Sequence, residues 1–246
     1  MSSEGLNLLE VRDLTRRFGG VAALDGCSFA VEAGTITGLI GPNGSGKTTA
    51  FNVITGFTRA DSGEVLLDGQ AVRPGPGPMY RHGVIRTFQR ARVFGGLTPV
   101  ENLVAAARQP WWSFATPRTR RGEHAKACDL LADLGLATVS GMPAGRLSYG
   151  QRKLVEFAAV LMGEPRLVLL DEPAAGVTAS IVEVLERHIR AWHERGVTFL
   201  VVEHDMDVVA RLCDPVIVLD HGRAIACGAP SLIRADPLVL DAYLGA

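Results

Sequence analysis

Lysine is almost missing from this chain of 246 residues: of its 25 basic residues only Lys47, Lys126 and Lys153 are lysines. A chain so averse to lysine that keeps one inside a glycine-rich loop has a use for that compact charge. Cysteine is sparse too. Cys27, Cys128, Cys213 and Cys227 are scattered with no C-x-x-C pair, which argues against a disulfide framework or a cysteine-held metal and for reduced thiols. Charge of one sign is not in excess. The formal net charge is −1, so there is no general pull towards nucleic acid or an anionic membrane. Long apolar runs are absent: 216–219 is strand-sized and far too short to cross a bilayer. Acidic Glu4 stands where a secretion signal would carry a basic and then an apolar run. Tandem repeats and low-complexity tracts are absent. These absences lead us to expect a cytoplasmic protein with one large α/β domain, or a core carrying an insertion.

The apolar patterning divides the chain. Segments 8–14, 27–31, 35–40 and 64–67 read as strands, separated by glycine turns at Gly19-Gly20, Gly34 and Asp68-Gly69. The alternating prolines and glycines of 73–78 read as a surface loop without regular structure. From Pro99 to about Met162 the spacing is helical, with Ala105, Leu130, Leu131, Leu134, Val155 and Ala159 in phase. Strand and helix then alternate: 167–170, a helix over 180–195, 198–202, a helix over 206–212, and 216–219. That alternation predicts a parallel sheet. A short helical tail follows Gly228.

Residues 41–48 read G-P-N-G-S-G-K-T, a phosphate-binding loop G-x-x-x-x-G-K-[ST] without mismatch. Gly41, Gly44 and Gly46 allow close backbone approach to phosphates. Pro42, Asn43 and Ser45 complete the loop. Lys47 suits the β- and γ-phosphates, and the Thr48 hydroxyl suits Mg²⁺. The preceding strand and a helix continuing from Thr49 fit this reading, because a helix N-terminus favours anions.

Leu167-Val168-Leu169-Leu170 ends in Asp171 and Glu172. Such a strand delivers its acids where open α/β sheets bind ligands: Asp171 for Mg²⁺, Glu172 as general base for an attacking water. A strand ending in a solvated acidic turn is the plainer alternative. Leu147-Ser148-Tyr149-Gly150-Gln151 opens a helix, with Ser148 as cap and Gln151 at its third position. It is either a second anion site or an ordinary capped helix.

The order of these motifs resembles the ATP-binding cassette (ABC) ATPases, whose signature L-S-G-G-Q is matched at four of five positions. The resemblance implies an α/β fold: a phosphate-loop nucleotide-binding core with a small antiparallel β subdomain and an inserted α-helical subdomain. Core and β subdomain would occupy 1–88 and 163–228, the helical subdomain 89–162, and the tail 229–246. It implies that Gln89 is the glutamine-loop residue linking Mg²⁺ and the attacking water to the helical subdomain. His204 would be the switch histidine at the γ-phosphate, and Phe18 the aromatic stacked on adenine. It also implies a head-to-tail dimer, in which Ser148, Tyr149, Gly150 and Gln151 of one subunit meet the ATP held by the other's Lys47. One departure is visible. The family's dimer-crossing S-x-L-D-P is replaced here by Ala175-Gly176-Val177-Thr178-Ala179, where Thr178 donates a hydrogen bond but brings no charge.

The strings Arg86-Thr87-Phe88-Gln89, Leu147-Ser148-Tyr149-Gly150-Gln151, Asp171-Glu172-Pro173-Ala174-Ala175-Gly176 and Glu203-His204-Asp205-Met206 look like the branched-chain (hydrophobic) amino-acid uptake ATPases, and the ending Ala242-Tyr243-Leu244-Gly245 fits that branch. ATPases for urea or amide import and for lipopolysaccharide export share much of this pattern. The partners implied are integral-membrane permease subunits, a second copy or a related ATPase, and indirectly a solute-binding protein, with no nucleic acid. The expected place is the inner face of the cell membrane, held there by the permeases. Trp111, Trp112 and Phe114 are either anchors for such a partner or packing of the helical subdomain. A soluble ABC protein without a transporter is a second reading. A phosphate-loop kinase or GTPase is a third, and no N-K-x-D guanine motif occurs.

Overall fold

Two sheets organise the described part of the chain, which in the computed structural model is residues 6–107 and 117–244. The strands in chain order are β1 (Asn7–Phe18), β2 (Val21–Glu32), β3 (Ile36–Ile40), β4 (Ser62–Leu67), β5 (Gln70–Val72), β6 (Val84–Arg86), β7 (Leu167–Asp171), β8 (Thr198–Val202), β9 (Val216–Asp220) and β10 (Arg223–Gly228). The helices are α1 (Lys47–Ile54), α2 (Pro76–Arg81), α3 (Pro99–Ala106), α4 (Pro117–Asp133), α5 (Tyr149–Met162), α6 (Ala179–His193), α7 (Met206–Leu212), α8 (Pro230–Ala235) and α9 (Pro237–Leu244).

The larger sheet has the order β10-β9-β3-β8-β7-β6. Its pairs from β9 to β6 are parallel, and β10 joins β9 antiparallel. Every residue of β3, β7 and β8 is buried, as expected of parallel strands covered on both faces. Alternate side chains feed two cores. Ile40, Leu170, Val201 and Val218 pack with Leu103, Leu131, Leu154 and Phe157, so the helices α3, α4 and α5 share a core with one face. Leu39, Leu169, Leu200 and Ile217 pack on the other face with Phe51 and Ile54 of α1 and with Leu9, Leu14, Leu24 and Val65 of the antiparallel sheet β2-β1-β4-β5. Helix α1 is thus clamped between the two sheets.

Most expected elements are present, and the differences have local causes. Segment 73–78 is not a loop throughout: Pro76 opens α2 at its first position, where a missing N–H costs nothing because no helical acceptor precedes it. The short strands β5, β6 and β10 escaped the sequence reading. β1 and β2 extend well past the expected 8–14 and 27–31, because register shifts at Val11/Leu14 and Leu14/Arg16 break the apolar alternation. Helix α1 begins at Lys47 rather than at Thr49. Trp111, Trp112 and Phe114 lie outside the described residues. Among the described residues no helix is long and apolar enough to cross a membrane.

The turn from α1 towards α2 depends on a glycine. Gly56 has φ +74°, and a Cβ there would collide with the backbone of Gly75 and Pro74. Gly56→Ala should therefore cost about 3 kcal/mol from strain and overpacking together. Gly96→Ala, with open space around it, should stay within about 0.5 kcal/mol of wild type. Urea unfolding of the two variants checks this; equal midpoints would contradict it.

Candidate active site

The loop between β3 and α1 folds around its own lysine. Lys47 is only 6% exposed, and its Nζ donates to the carbonyls of Gly41 and Pro42 at 2.8 Å each and to Ser45 Oγ at 3.2 Å. Burial pulls its pKa down, and the nearby carboxylates of Glu172 and Asp171 oppose that. Gly41, Gly44 and Gly46 all have positive φ. A side chain at Gly41 would strike the Leu219 carbonyl, and one at Gly46 the Ala23 carbonyl. Gly46 caps α1 with no side-chain hydrogen bond, so the first N–H groups of the helix remain available to an anion.

Register sets the acids beside this loop. Leu39 and Asp171 both pair with Val202, so β3, β7 and β8 end together and the segments after them emerge side by side. Glu172, the first residue after β7, has φ +49°, a strained conformation for a non-glycine residue. Its N–H donates to Val202 O at 2.9 Å, and its own carbonyl accepts from Lys153 Nζ at 3.0 Å. Its carboxylate is where the three expected catalytic residues meet. Gln89 Nε2 donates to Glu172 Oε2 at 2.9 Å, and His204 Nε2 lies 2.6 Å from Oε1.

Asp171 is 2% exposed. Its Oδ2 accepts from Arg86 at 3.0 Å, while Oδ1 is buried without a hydrogen-bond partner among the described residues. Burial pushes the carboxyl up, and Arg86 pulls it back. An orphaned buried acceptor on Asp171 is a donor atom that suits Mg²⁺, as are the Gln89 amide oxygen and the Thr48 hydroxyl by their chemistry. That ion takes one or two protein carboxylates and draws its other ligands from phosphate and water. Among the described residues no group of three His, Cys, Asp or Glu side chains is placed to hold a metal.

The signature segment builds a reciprocal cap. Ser148 Oγ accepts from Gln151 N at 3.2 Å, and Gln151 Oε1 accepts from Ser148 N at 2.9 Å. Tyr149 OH donates to the Gln89 carbonyl at 3.2 Å, which ties the start of α5 to the glutamine loop. Gly150 lies against Ile181, which a Cβ would approach to 3.1 Å. No hydrogen bond among the described residues joins Ser148, Tyr149, Gly150 or Gln151 to the phosphate loop. Phe18, at the end of β1, is 50% exposed with the Arg16 guanidinium 4.7 Å from its ring centroid. A groove of about 770 Å³ lined by Ala174, Ala175, Val177, His204 and Arg211 lies beside the site.

Four buried charges were not given roles by the sequence reading. Glu203 accepts from Ala174 N at 2.7 Å and from His204 N at 3.2 Å, fixing the segment after Glu172 and the histidine together. Glu156 of α5 accepts from Phe88 N at 3.3 Å and Arg92 N at 3.1 Å, gripping the chain on both sides of Gln89. Burial pushes both carboxyls up. Lys153 props the Glu172 carbonyl, and Arg86 holds Asp171. The scarcity of lysine was a usable signal for Lys153. Arg86 stood in a quoted motif without a stated partner.

Lys153→Met keeps the aliphatic stem and removes the donor that supports the strained Glu172 backbone. It should lower kcat for ATP by roughly tenfold to a hundredfold, as a misplaced reacting group does, with KM changed by less than about threefold. Steady-state kinetics decide this. A rise in KM at unchanged kcat would contradict it.

The ABC transporter family model matches residues 24–175, a span that runs from β2 through the phosphate loop, the signature and the paired acids. The high-affinity branched-chain amino acid transport ATP-binding protein BraF of Pseudomonas aeruginosa is 40% identical over 97% of this chain and 98% of its own. The high-affinity branched-chain amino acid transport ATP-binding protein LivG of Escherichia coli K12 is 36% identical over 97% and 98%. Among solved structures, the ADP conformation of an ATP-binding cassette of an ABC transporter superposes with TM-score 0.83 at 33% identity, covering 98% of this chain and 99% of that one. A nucleotide-free ATP-binding cassette from an ABC transporter gives 0.84 at 34% identity over 98% and 100%. With its fold, motif order and nearly full length all matched, this chain belongs to the ABC transporter family, as an ATP-binding cassette.

Proposed function

We propose that this chain binds and hydrolyses ATP to energise a membrane importer of branched-chain amino acids. The observation that carries the catalytic part is the convergence of Gln89 and His204 on the Glu172 carboxylate beside the phosphate loop. The full-length similarity to BraF and LivG, whose names give that transport, supports the substrate class.

The geometry suggests a sequence of roles. The loop amides of Gly41, Pro42, Asn43, Gly44, Ser45 and Gly46, with Thr49 at the helix start, take the phosphates of ATP. Lys47 exchanges its bonds to the Gly41 and Pro42 carbonyls for phosphate oxygens, where the acceptor as well as the donor is charged and the contact is stronger. Phe18 offers a stacking face to adenine. Thr48, Asp171 and Gln89 are the residues to hold Mg²⁺, which supplies charge neutralisation at the phosphates. Glu172 accepts the proton of the attacking water. His204, already bonded to Glu172, is placed to reach the γ-phosphate, and Glu203 keeps it there.

Ser148, Tyr149, Gly150 and Gln151 are assigned to the ATP of a partner ATPase in a head-to-tail dimer, either a second copy or a related chain. ATP then binds the closed dimer in preference to the open one, and hydrolysis removes that preference. The bond from Tyr149 to the Gln89 backbone, and the hold of Glu156 on both sides of Gln89, give the nucleotide site a mechanical route into the helices. We assign 1–88 and 163–228 to the nucleotide-binding core with its β subdomain, 89–162 to the helical subdomain that docks on integral-membrane permeases, and 229–246 to a tail. Those permeases hold the protein at the cytoplasmic face of the membrane, and a solute-binding protein acts on the far side.

Glu172→Gln should retain ATP binding and lose turnover by at least about a hundredfold, since an amide cannot accept the proton. Wild-type turnover in that variant would remove Glu172 as the base. With ATP, light scattering should show the variant as a dimer, and adding Ser148→Arg should return it to monomer. Reconstitution with the permeases encoded beside it should give ATP-dependent uptake of leucine, isoleucine and valine. Uptake that persists without this subunit would end the transporter reading, and uptake of urea or a short amide instead would end the substrate assignment.

A further inference from the structure

Arg86, the last residue of β6, is buried at the junction of three elements. Its Nη1 donates to Asn52 Oδ1 at 2.7 Å and to Thr55 Oγ1 at 3.2 Å, at the far end of α1. Its Nη2 donates to Asp171 Oδ2 at 3.0 Å, and its Nε to the Thr87 carbonyl at 3.3 Å. The ion pair is nearly sealed from solvent, with side chains 5% and 3% exposed. The rings of Phe51, Phe57 and Phe88 surround the guanidinium at 5.7, 5.5 and 4.6 Å.

A sealed pair of this kind adds little net stability, because desolvation of both charges offsets their attraction. Its geometry does something else. A carboxylate has two oxygens, and Arg86 occupies one. The other, Oδ1, is buried with no partner among the described residues. The same guanidinium is anchored on α1, the helix that carries Lys47 and Thr48 at its opposite end. The direction of Asp171 is therefore referenced to the phosphate loop through a rigid helix, and Thr87 and Phe88 extend that reference to Gln89.

We propose that Arg86 is a positioning residue for the divalent cation: it engages Oδ2 of Asp171 so that Oδ1 is kept for the metal and its water, in fixed relation to Thr48 and Gln89. The planar fork is what allows Asn52 and Asp171 to be held at once; a lysine has the charge but not the two-sided reach. This inference rests on the nucleotide reading above. It predicts that Arg86 and Asn52 set metal affinity rather than nucleotide affinity.

The test uses the full-length protein with ADP and Mn²⁺, reading free Mn²⁺ by electron paramagnetic resonance. Asn52→Ala and Arg86→Lys should each weaken Mn²⁺ binding to the ADP complex by about tenfold, the size expected when a group behind a metal ligand is lost. ADP binding measured without metal should change by less than about twofold. In an Asp171→Asn background, neither substitution should weaken Mn²⁺ binding further. If Arg86→Lys does not fold, the half-buried Asn52 carries the comparison, alone and combined with Asp171→Asn. Unchanged Mn²⁺ affinity in Asn52→Ala, or a loss that persists in full beside Asp171→Asn, would overturn the proposal. Wild-type protein that binds no ADP would overturn the nucleotide reading instead.

Discussion

Three fully buried parallel strands that end in step are the constraint on which the site depends. β3, β7 and β8 stop at Ile40, Asp171 and Val202; the phosphate loop follows the first, Asp171 closes the second with Glu172 next, and the Glu203-His204 segment follows the third. Their register is protected by burial. A slip of one residue would exchange the side chains of Leu169 and Leu170 between two cores of different shape, and both cores are closed. Precision at the ends of the strands is thus inherited from apolar packing along their lengths. The strained backbone of Glu172 is tolerable for the same reason, since Val202 O and Lys153 Nζ hold it from two sides.

Around that edge the protein buries ionisable groups in connected pairs. Arg86 faces Asp171, Lys153 meets the Glu172 carbonyl, Glu156 and Glu203 accept backbone N–H groups, and Lys47 rests on loop carbonyls. An unpaired charge in such surroundings would be prohibitively costly, and each pairing lowers that cost by supplying a specific partner. Apart from those of Lys47, which lie in its own loop, the partners reach across elements. They link α1 to β6 and β7, α5 to the segment around Gln89, and the loop after β7 to the one after β8. The polar network therefore does what packing alone cannot, which is to couple the movements of pieces that belong to different strands.

Much of this was legible from the residues. The phosphate loop, the apolar strand ending in two acids and the capped helix at Ser148 are contiguous patterns, and a contiguous pattern survives in one dimension. The α/β alternation of the C-terminal half was equally clear, because 198–202 and 206–212 carry strong apolar phases. What could not be read was of two kinds. β5, β6 and β10 are too short or too exposed for periodicity to mark them, and α2 hides behind prolines that serve as a helix start. The partners of Arg86, Lys153, Glu156 and Glu203 are long-range, the Arg86–Asp171 bond spanning 85 positions. Nothing in the local sequence of either residue specifies the other. The meeting of Gln89, Glu172 and His204 was expected only through the family resemblance, and the fold supplies its physical reason in the adjacent ends of β6, β7 and β8.

The scarcity of lysine has a chemical consequence once each lysine is placed. Lys47 and Lys153 are enclosed by the site, 6% and 4% exposed; the first donates to two carbonyls and the Ser45 hydroxyl, the second to the Glu172 carbonyl. Lys126 is the one lysine amine with a solvent-facing side chain, 33% exposed and paired with Glu164 at 3.0 Å. Arginine carries the rest of the positive surface and does not react with acylating agents at neutral pH. The molecule is consequently close to monofunctional towards amine-directed chemistry on its side chains. A fluorophore, a crosslinker or an enzymatic acetyl group meets Lys126 on α4, outside the hydrogen bonds that the other two lysines make in the site.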